Sequence, residues 1–212
     1  MVRGVTALIA IAGADAASAH RGISCLVVDL SSPGVHIRPI ATASPAIDQF
    51  CEVFFDDVQV PGDALLGPLH GGWGVAMSSL AHERDMIWVN TWMETRRALD
   101  PVLTASDLSE DELSELGASL RDAEALRLMG LRSAVARARG HEAHIFSMLK
   151  LLGSQAVQAA ASLALETTGT ASLEREEILD DFMESLCASI YGGTSEIQRN
   201  VIAERILGLP KN

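Results

Sequence analysis

The chain is poor in the residues that mark metal, redox and nucleic-acid proteins. It has three cysteines in 212 residues, Cys25, Cys51 and Cys187, and none stands at the spacing of a zinc site or a dithiol pair. So sparse a set suits a reducing compartment, and a cytoplasmic location is expected. No cluster of Lys and Arg interrupts a formal net charge of −12. The resulting field repels nucleic acid and anionic membranes, so neither is expected as a partner. No stretch approaches the roughly 18 to 20 apolar residues of a membrane span. Internal repeats and low-complexity tracts are missing too.

What is present reads as an ordinary globular protein, 48% hydrophobic and 21% charged, long enough for one large domain or two small ones. The first nineteen residues admit two readings. Arg3, the apolar run Val5 to Ala12 and the small-residue sites at Ala14-Asp15-Ala16 and Ala17-Ser18-Ala19 imitate a secretory signal. The competing reading is a short strand from Ala7 to Ala12 followed by an exposed loop. From Ile23 to Val60 the pattern is β-type, with strands expected at Ile23 to Asp29, Val35 to Pro39 and Cys51 to Phe55.

After Gly72 the period changes to that of helices. Apolar residues recur at three and four spacings from Val75 to Leu99, and Pro101 with Ser106-Asp107 predicts a break. Ser109 and Glu112 predict a capping box opening a second helix that runs to about Gly140. A third is expected from about His141 to Thr167, with Gly153 as a close-packing point, a fourth from about Leu173 to Ile190, and a last from Thr194 to Leu207, stopped by Gly208 and Pro210. A β piece of about 65 residues thus precedes an all-α piece of about 140, which predicts two domains, 1–67 and 68–212.

Several eye-catching residues carry no chemistry on this reading. His141 and His144 lack the further ligands a metal needs. The glycine-rich Gly67 to Gly74 lacks the Lys-Ser/Thr ending of a phosphate loop and reads as a bend into the first helix. Trp73, Trp88 and Trp92 read as packing or interface residues. The informative run is Ile190-Tyr191-Gly192-Gly193-Thr194-Ser195-Glu196-Ile197-Gln198-Arg199-Asn200, continuing to Pro210. Its two glycines bring bare backbone close to a ligand, and Thr194 is placed to cap the helix behind them. Such a helix start faces phosphate or a developing oxyanion.

This run resembles the C-terminal signature of flavin-dependent acyl-CoA dehydrogenases. Further ordered matches extend the resemblance: His20-Arg21-Gly22-Ile23 to Asp29, Glu52-Val53-Phe54-Phe55-Asp56-Asp57-Val58-Gln59-Val60-Pro61, Gly72-Trp73, and Leu80-Ala81-His82-Glu83-Arg84. The family implies an α+β chain, here a partial antiparallel middle β domain followed by a C-terminal up-and-down helical bundle. Its N-terminal helical domain and the start of its β domain have no counterpart in these residues, so the chain resembles a truncated member. The family also implies FAD as cofactor, an acyl-CoA thioester as substrate, an electron-transfer flavoprotein as electron acceptor, and a homo- or hetero-oligomer of dehydrogenase subunits.

The commonest family position for the catalytic base is the residue after the tail tyrosine, here Gly192, which cannot take a proton. A subset resembling the isovaleryl and long-chain enzymes places the base on the first helix of the bundle, before an arginine, and Glu83-Arg84 fits that pattern. The resemblance therefore implies Glu83 as base, the Gly192 N–H as the group that polarises the thioester carbonyl, and Thr194, Ser195 and Glu196 as flavin contacts. It further implies Arg84 and Gly193 beside the substrate. Glu196 departs from the usual Gln, and Glu166-Thr167-Thr168-Gly169-Thr170 departs from the family's Gln-x-x-Gly-Gly. The alternative is a non-catalytic partner subunit or an inactive remnant of such an enzyme.

Overall fold

The computed structural model describes residues 6–12, 22–43, 50–140 and 145–210, with residues 6–12 and 80–86 described by their backbone alone. The chain divides into two compact units, and the boundary between His82 and Glu83 falls inside the first long helix.

The first unit is built on five short strands, β1 (Thr6–Ala12), β2 (Ile23–Asp29), β3 (Val35–Pro39), β4 (Cys51–Phe55) and β5 (Leu65–Leu66). Three stand at the bounds the β-branched runs predict. β1 takes up the strand reading of the N-terminus, while residues 1–5 and 13–21 lie outside the described set. β2 is the middle strand of an antiparallel sheet ordered β1-β2-β5, with Thr6 opposite Asp29 and Cys25 opposite Leu66. Cys25 and Val28 are its buried residues. The strand ends where the Asp29 carboxylate accepts from Ser31 N–H at 2.8 Å and Ser31 Oγ at 2.7 Å, a side-chain turn that competes with further pairing. The pair β3–β4 runs from Val35 opposite Phe55 to Pro39 opposite Cys51. Its apolar side chains Ile37, Val53, Phe54 and Phe55 are exposed. At two residues, β5 is too short for any periodic signal.

Five helices follow: α1 (Gly72–Leu103), α2 (Glu110–Ala138), α3 (Phe146–Thr168), α4 (Glu176–Cys187) and α5 (Ser195–Val201). The break expected from Pro101 with Ser106-Asp107 falls at residues 104–109, and α1 carries Pro101 inside it as far as Leu103. Leu99 and Val102 are fully buried, and each contributes roughly 1.5–3 kcal/mol, enough to offset the roughly 3 kcal/mol cost of an internal proline. The Thr104 hydroxyl then donates to Asp100 O and Pro101 O, satisfying carbonyls at the helix end. The capping box on α2 forms as the spacing predicts: Ser109 Oγ accepts from Glu112 N–H, and the Glu112 carboxylate accepts from Ser109 N–H at 2.8 Å. The predicted fourth helix forms as α4 over Glu176–Cys187, short of the expected Leu173 to Ile190 at both ends. Residues Gly169–Glu174 form a 3-10 turn, and Arg175, at φ −117° and ψ 81°, breaks the helical path before α4 starts. Beyond α5, Ile202–Ile206 wind as a π-turn, and Leu209 N–H closes the end on Ala203 O beside Gly208.

Helix packing uses two cores. One joins Ala98, Leu99 and Val102 of α1 with Leu116 of α2, Ala160 to Ala164 of α3 and Ile178 of α4. The other joins Trp88, Leu126 and Leu149, flanked by Val89, Trp92 and Met129. Close approach depends on two glycines. A Cβ on Gly130 would lie 2.2 Å from the Trp88 ring, and one on Gly153 would lie 2.6 Å from Thr91 Oγ1, so Gly153 is the contact point its position predicts. Among the described residues no helix is long and apolar enough to cross a membrane.

Candidate functional site

The tail motif lies in the second unit as a tight turn between α4 and α5. Gly192 and Gly193 take φ of 65° and 99°, left-handed values that a side chain resists by roughly 1–2 kcal/mol. Thr194 caps α5, its hydroxyl oxygen accepting from Ile197 N–H at 3.4 Å. The Gly192 and Gly193 N–H groups make no hydrogen bond among the described residues. A Cβ on Gly192 would lie 2.9 Å from Ile87 Cδ1 and 3.9 Å from Lys150 Cε. The turn is therefore set against α1 at Ile87 and against α3 at Lys150. Position 83 lies on α1 one helical turn before Ile87, about 6 Å along the axis. The side chains of Glu83 and Arg84 lie outside the described residues, as do His141 and His144.

Ser195 N–H donates to Ser189 O at 3.1 Å, tying the start of α5 to the end of the preceding turn. Glu196 is exposed, and its carboxyl is held below the usual carboxylate range by its own backbone N–H, by the Thr194 hydroxyl and by the charges of Arg199 and Lys150. Arg199 Nη1 stands 3.7 Å from it. An ionised acceptor at that place can receive a hydroxyl but repels a phosphate. Gly192 to Ser195, in contrast, present neutral donors and a backbone without bulk, a set that fits the oxygen-rich edge of a cofactor or a polarised carbonyl.

Two buried residues that the sequence reading passes over hold this turn. Lys150, 3% exposed, donates from Nζ to Ala188 O at 2.8 Å; burial pulls its pKa down, and Glu196 opposes that shift. Gln198, 0% exposed, donates from Nε2 to Gly192 O at 3.2 Å and Gly193 O at 3.4 Å. Its Oε1 has no partner among the described residues. Lys150 carries a sequence signal, being the one charge between Phe146 and Leu165 in an otherwise Ala- and Leu-rich helix. Gln198 stands one turn after Thr194, on the side of α5 under the cap.

Next to the motif stands an acidic group. Burial, then the charge of Glu184, raise the pKa of Glu94. Burial, then Glu94 and Glu184, push the Tyr191 phenol up to about 12. Arg97 bridges Asp181 with Nη2 to Oδ1 at 2.6 Å and Nε to Oδ2 at 3.2 Å. Glu94, Asp181, Glu184 and Tyr191 share the lining of a void of about 10 Å³, scarcely the space of one water. A larger cavity of about 460 Å³ lies among α1, α3 and α4, lined by Ala98, Pro101, Ala161, Arg175 and Ile178 with the Arg97–Asp181 pair. None of the predicted site residues lines it.

The second unit thus sets the Gly192–Gly193 turn against Ile87 of α1, one helical turn from position 83. A family model described as "Acyl-CoA dehydrogenase, C-terminal domain" matches residues 70–207, and the chain belongs to the acyl-CoA dehydrogenase family. It is 33% identical over 194 residues to acyl-CoA dehydrogenase FadE34 of Mycobacterium tuberculosis, covering 91% of this chain and 27% of that protein. To acyl-CoA dehydrogenase IpdE1 of the same organism it is 32% identical over 205 residues, covering 91% of this chain and 52% of that one. The chain thus spans about half, or less, of the curated relatives it matches. Its fold is that of a glutaryl-coenzyme A dehydrogenase solved with glutaryl-CoA, at a TM-score of 0.86 and 21% identity over 97% of this chain and 55% of that one. It is similar also to PigA solved as its FAD complex, at a TM-score of 0.78 and 20% identity over 95% and 56%. FAD is the cofactor of the family.

Proposed function

We propose that this chain supplies the catalytic bundle of an FAD-dependent acyl-CoA dehydrogenase, with Glu83 as the base. The carrying observation is the packing of Gly192 against Ile87: the turn, whose Gly192 and Gly193 N–H groups make no hydrogen bond among the described residues, lies against α1 one helical turn from position 83. In this reading the acyl-CoA thioester carbonyl accepts from Gly192 N–H, which stabilises the enolate-like charge formed as the α-proton leaves. Preorganised donors of this kind contribute about 3 to 4 kcal/mol in oxyanion sites generally. Glu83 takes that proton from across the cleft, a geometry a carboxylate can serve from either wall. Bound FAD would accept the β-hydrogen as hydride and pass the electrons to an electron-transfer flavoprotein, leaving a Cα=Cβ double bond.

Thr194 and Ser195 hold the flavin's polar edge, Glu196 receives a hydroxyl rather than a phosphate, and Arg84 and Gly193 lie beside the thioester. The chain works as part of a homo- or hetero-oligomer of dehydrogenase subunits in the cytoplasm, where its three free cysteines stay reduced. The test is Glu83→Gln in flavin-loaded protein, followed by flavin bleaching with acyl-CoA substrates. Bleaching is expected to fall by two or more orders of magnitude, the scale of a lost general base. Unchanged bleaching would remove Glu83 from the reaction and, with it, this reading.

A further inference from the structure

Neither buried polar side chain beneath the glycine turn has a part in the reaction just described. Lys150 and Gln198 belong to different helices, α3 and α5, yet their bonds converge on one short segment: Ala188 O on one side, Gly192 O and Gly193 O on the other. The Gln198 amide is oriented by these contacts, since the opposite orientation would set its oxygen against two carbonyls. In a trans peptide the C=O and N–H point in opposite directions. Tying down the carbonyls of Gly192 and Gly193 therefore also aims the N–H groups of Gly193 and Thr194 away from the Gln198 amide. Lys150 does the same for the peptide that follows Ala188, where α4 ends.

Stability alone does not explain these choices. Burial works against the Lys150 ammonium, and an unbranched apolar side chain of similar length would fill the same space without that cost. What such a side chain lacks is a donor for Ala188 O. The segment needs one, because paired glycines at positive φ leave a backbone with several accessible geometries. We propose that Lys150 and Gln198 are positioning residues: Lys150 fixes the peptide that follows Ala188 and Gln198 fixes the peptides that follow Gly192 and Gly193, so that the Gly193 N–H stays presented, beside that of Gly192, to an incoming oxygen. This rests on the reading of the tail turn as the carbonyl-polarising element.

The test is the amide spectrum of the full-length ¹⁵N-labelled chain, without ligand, comparing Lys150→Met, Gln198→Met and the isosteric Gln198→Glu with the parent. Leu126→Ala, a large cavity in the other core, serves as the control for simple destabilisation. The Gly192 and Gly193 amide peaks are expected to shift or split in the Lys150 and Gln198 variants and to stay in place in Leu126→Ala, although all of them melt earlier. Superimposed glycine peaks would overturn the proposal, as would an equal displacement in Leu126→Ala. Failure of all three variants to fold would overturn it too, by making the pair part of the core. A base test that fails while these peaks move would remove the proposed reaction and leave the clamp standing.

Discussion

At the scale of single residues, a buried charge and a strained backbone around the tail turn make two measurable differences. The folded-state pKa of Glu94 is raised above 4.5, so the folded chain holds that proton longer than the unfolded chain. Stability must then fall as pH rises from about 4.5 through the raised value. Glu94→Gln is expected to raise the urea midpoint at pH 7 and leave it unchanged at pH 4, and a midpoint that drops at pH 7 would contradict the assignment of burial and Glu184 as its causes. Gly192→Ala is expected to cost about 1 kcal/mol from the left-handed backbone alone. Adding Ile87→Val should recover the part due to the 2.9 Å contact, which a double-mutant cycle reads directly. Of these residues Gly192 was legible in the sequence, because its motif marks a turn. Glu94 was not, since an acid inside a helical run says nothing about which neighbours bury it. Lys150 stands between: its isolation among alanines and leucines is visible, but the carbonyl it reaches is 38 positions away.

At the scale of elements, the bundle depends on caps and on bare backbone at crossings. Gly130→Ala would drive a methyl group into the Trp88 ring, and overpacking of this kind costs typically 1–3 kcal/mol; calorimetry should show a lowered melting midpoint. Ser109→Ala removes the α2 cap, a loss of about 1 kcal/mol. Ser109 also holds the Glu112 pKa below 4.5, so the stabilisation is present above that pH and lost as pH falls through the folded value. The cost of Ser109→Ala should therefore shrink at pH 3, and an equal cost at both pH values would count against the box. Elements were read well where local chemistry sets them: β2, β3 and β4 by β-branched runs, and the start of α2 by its cap. Reading failed where tertiary burial overrode a local rule. Leu99 and Val102 carry α1 through Pro101 towards the break at Ser106-Asp107, and Arg175 delays the start of the fourth helix to Glu176 with no Gly or Pro to announce it.

At the scale of the whole molecule, the decisive measurement is the protein-to-flavin ratio of the purified 212-residue chain after gel filtration. The proposed function predicts a yellow protein near one FAD per chain, whereas a folded but colourless protein would assign this chain to a partner-subunit role. Fold and family were legible because the motifs that carry them are local strings, and residues 70–207 match as one block. The sequence marks the turn at Gly192, but the grip on it comes from Lys150 on α3 and Gln198 on α5, whose partners no local string announces. The left-handed Gly192 also limits what this position tolerates: at φ 65° and with Ile87 closed over it, any longer side chain there strains both the turn and the helix it rests on.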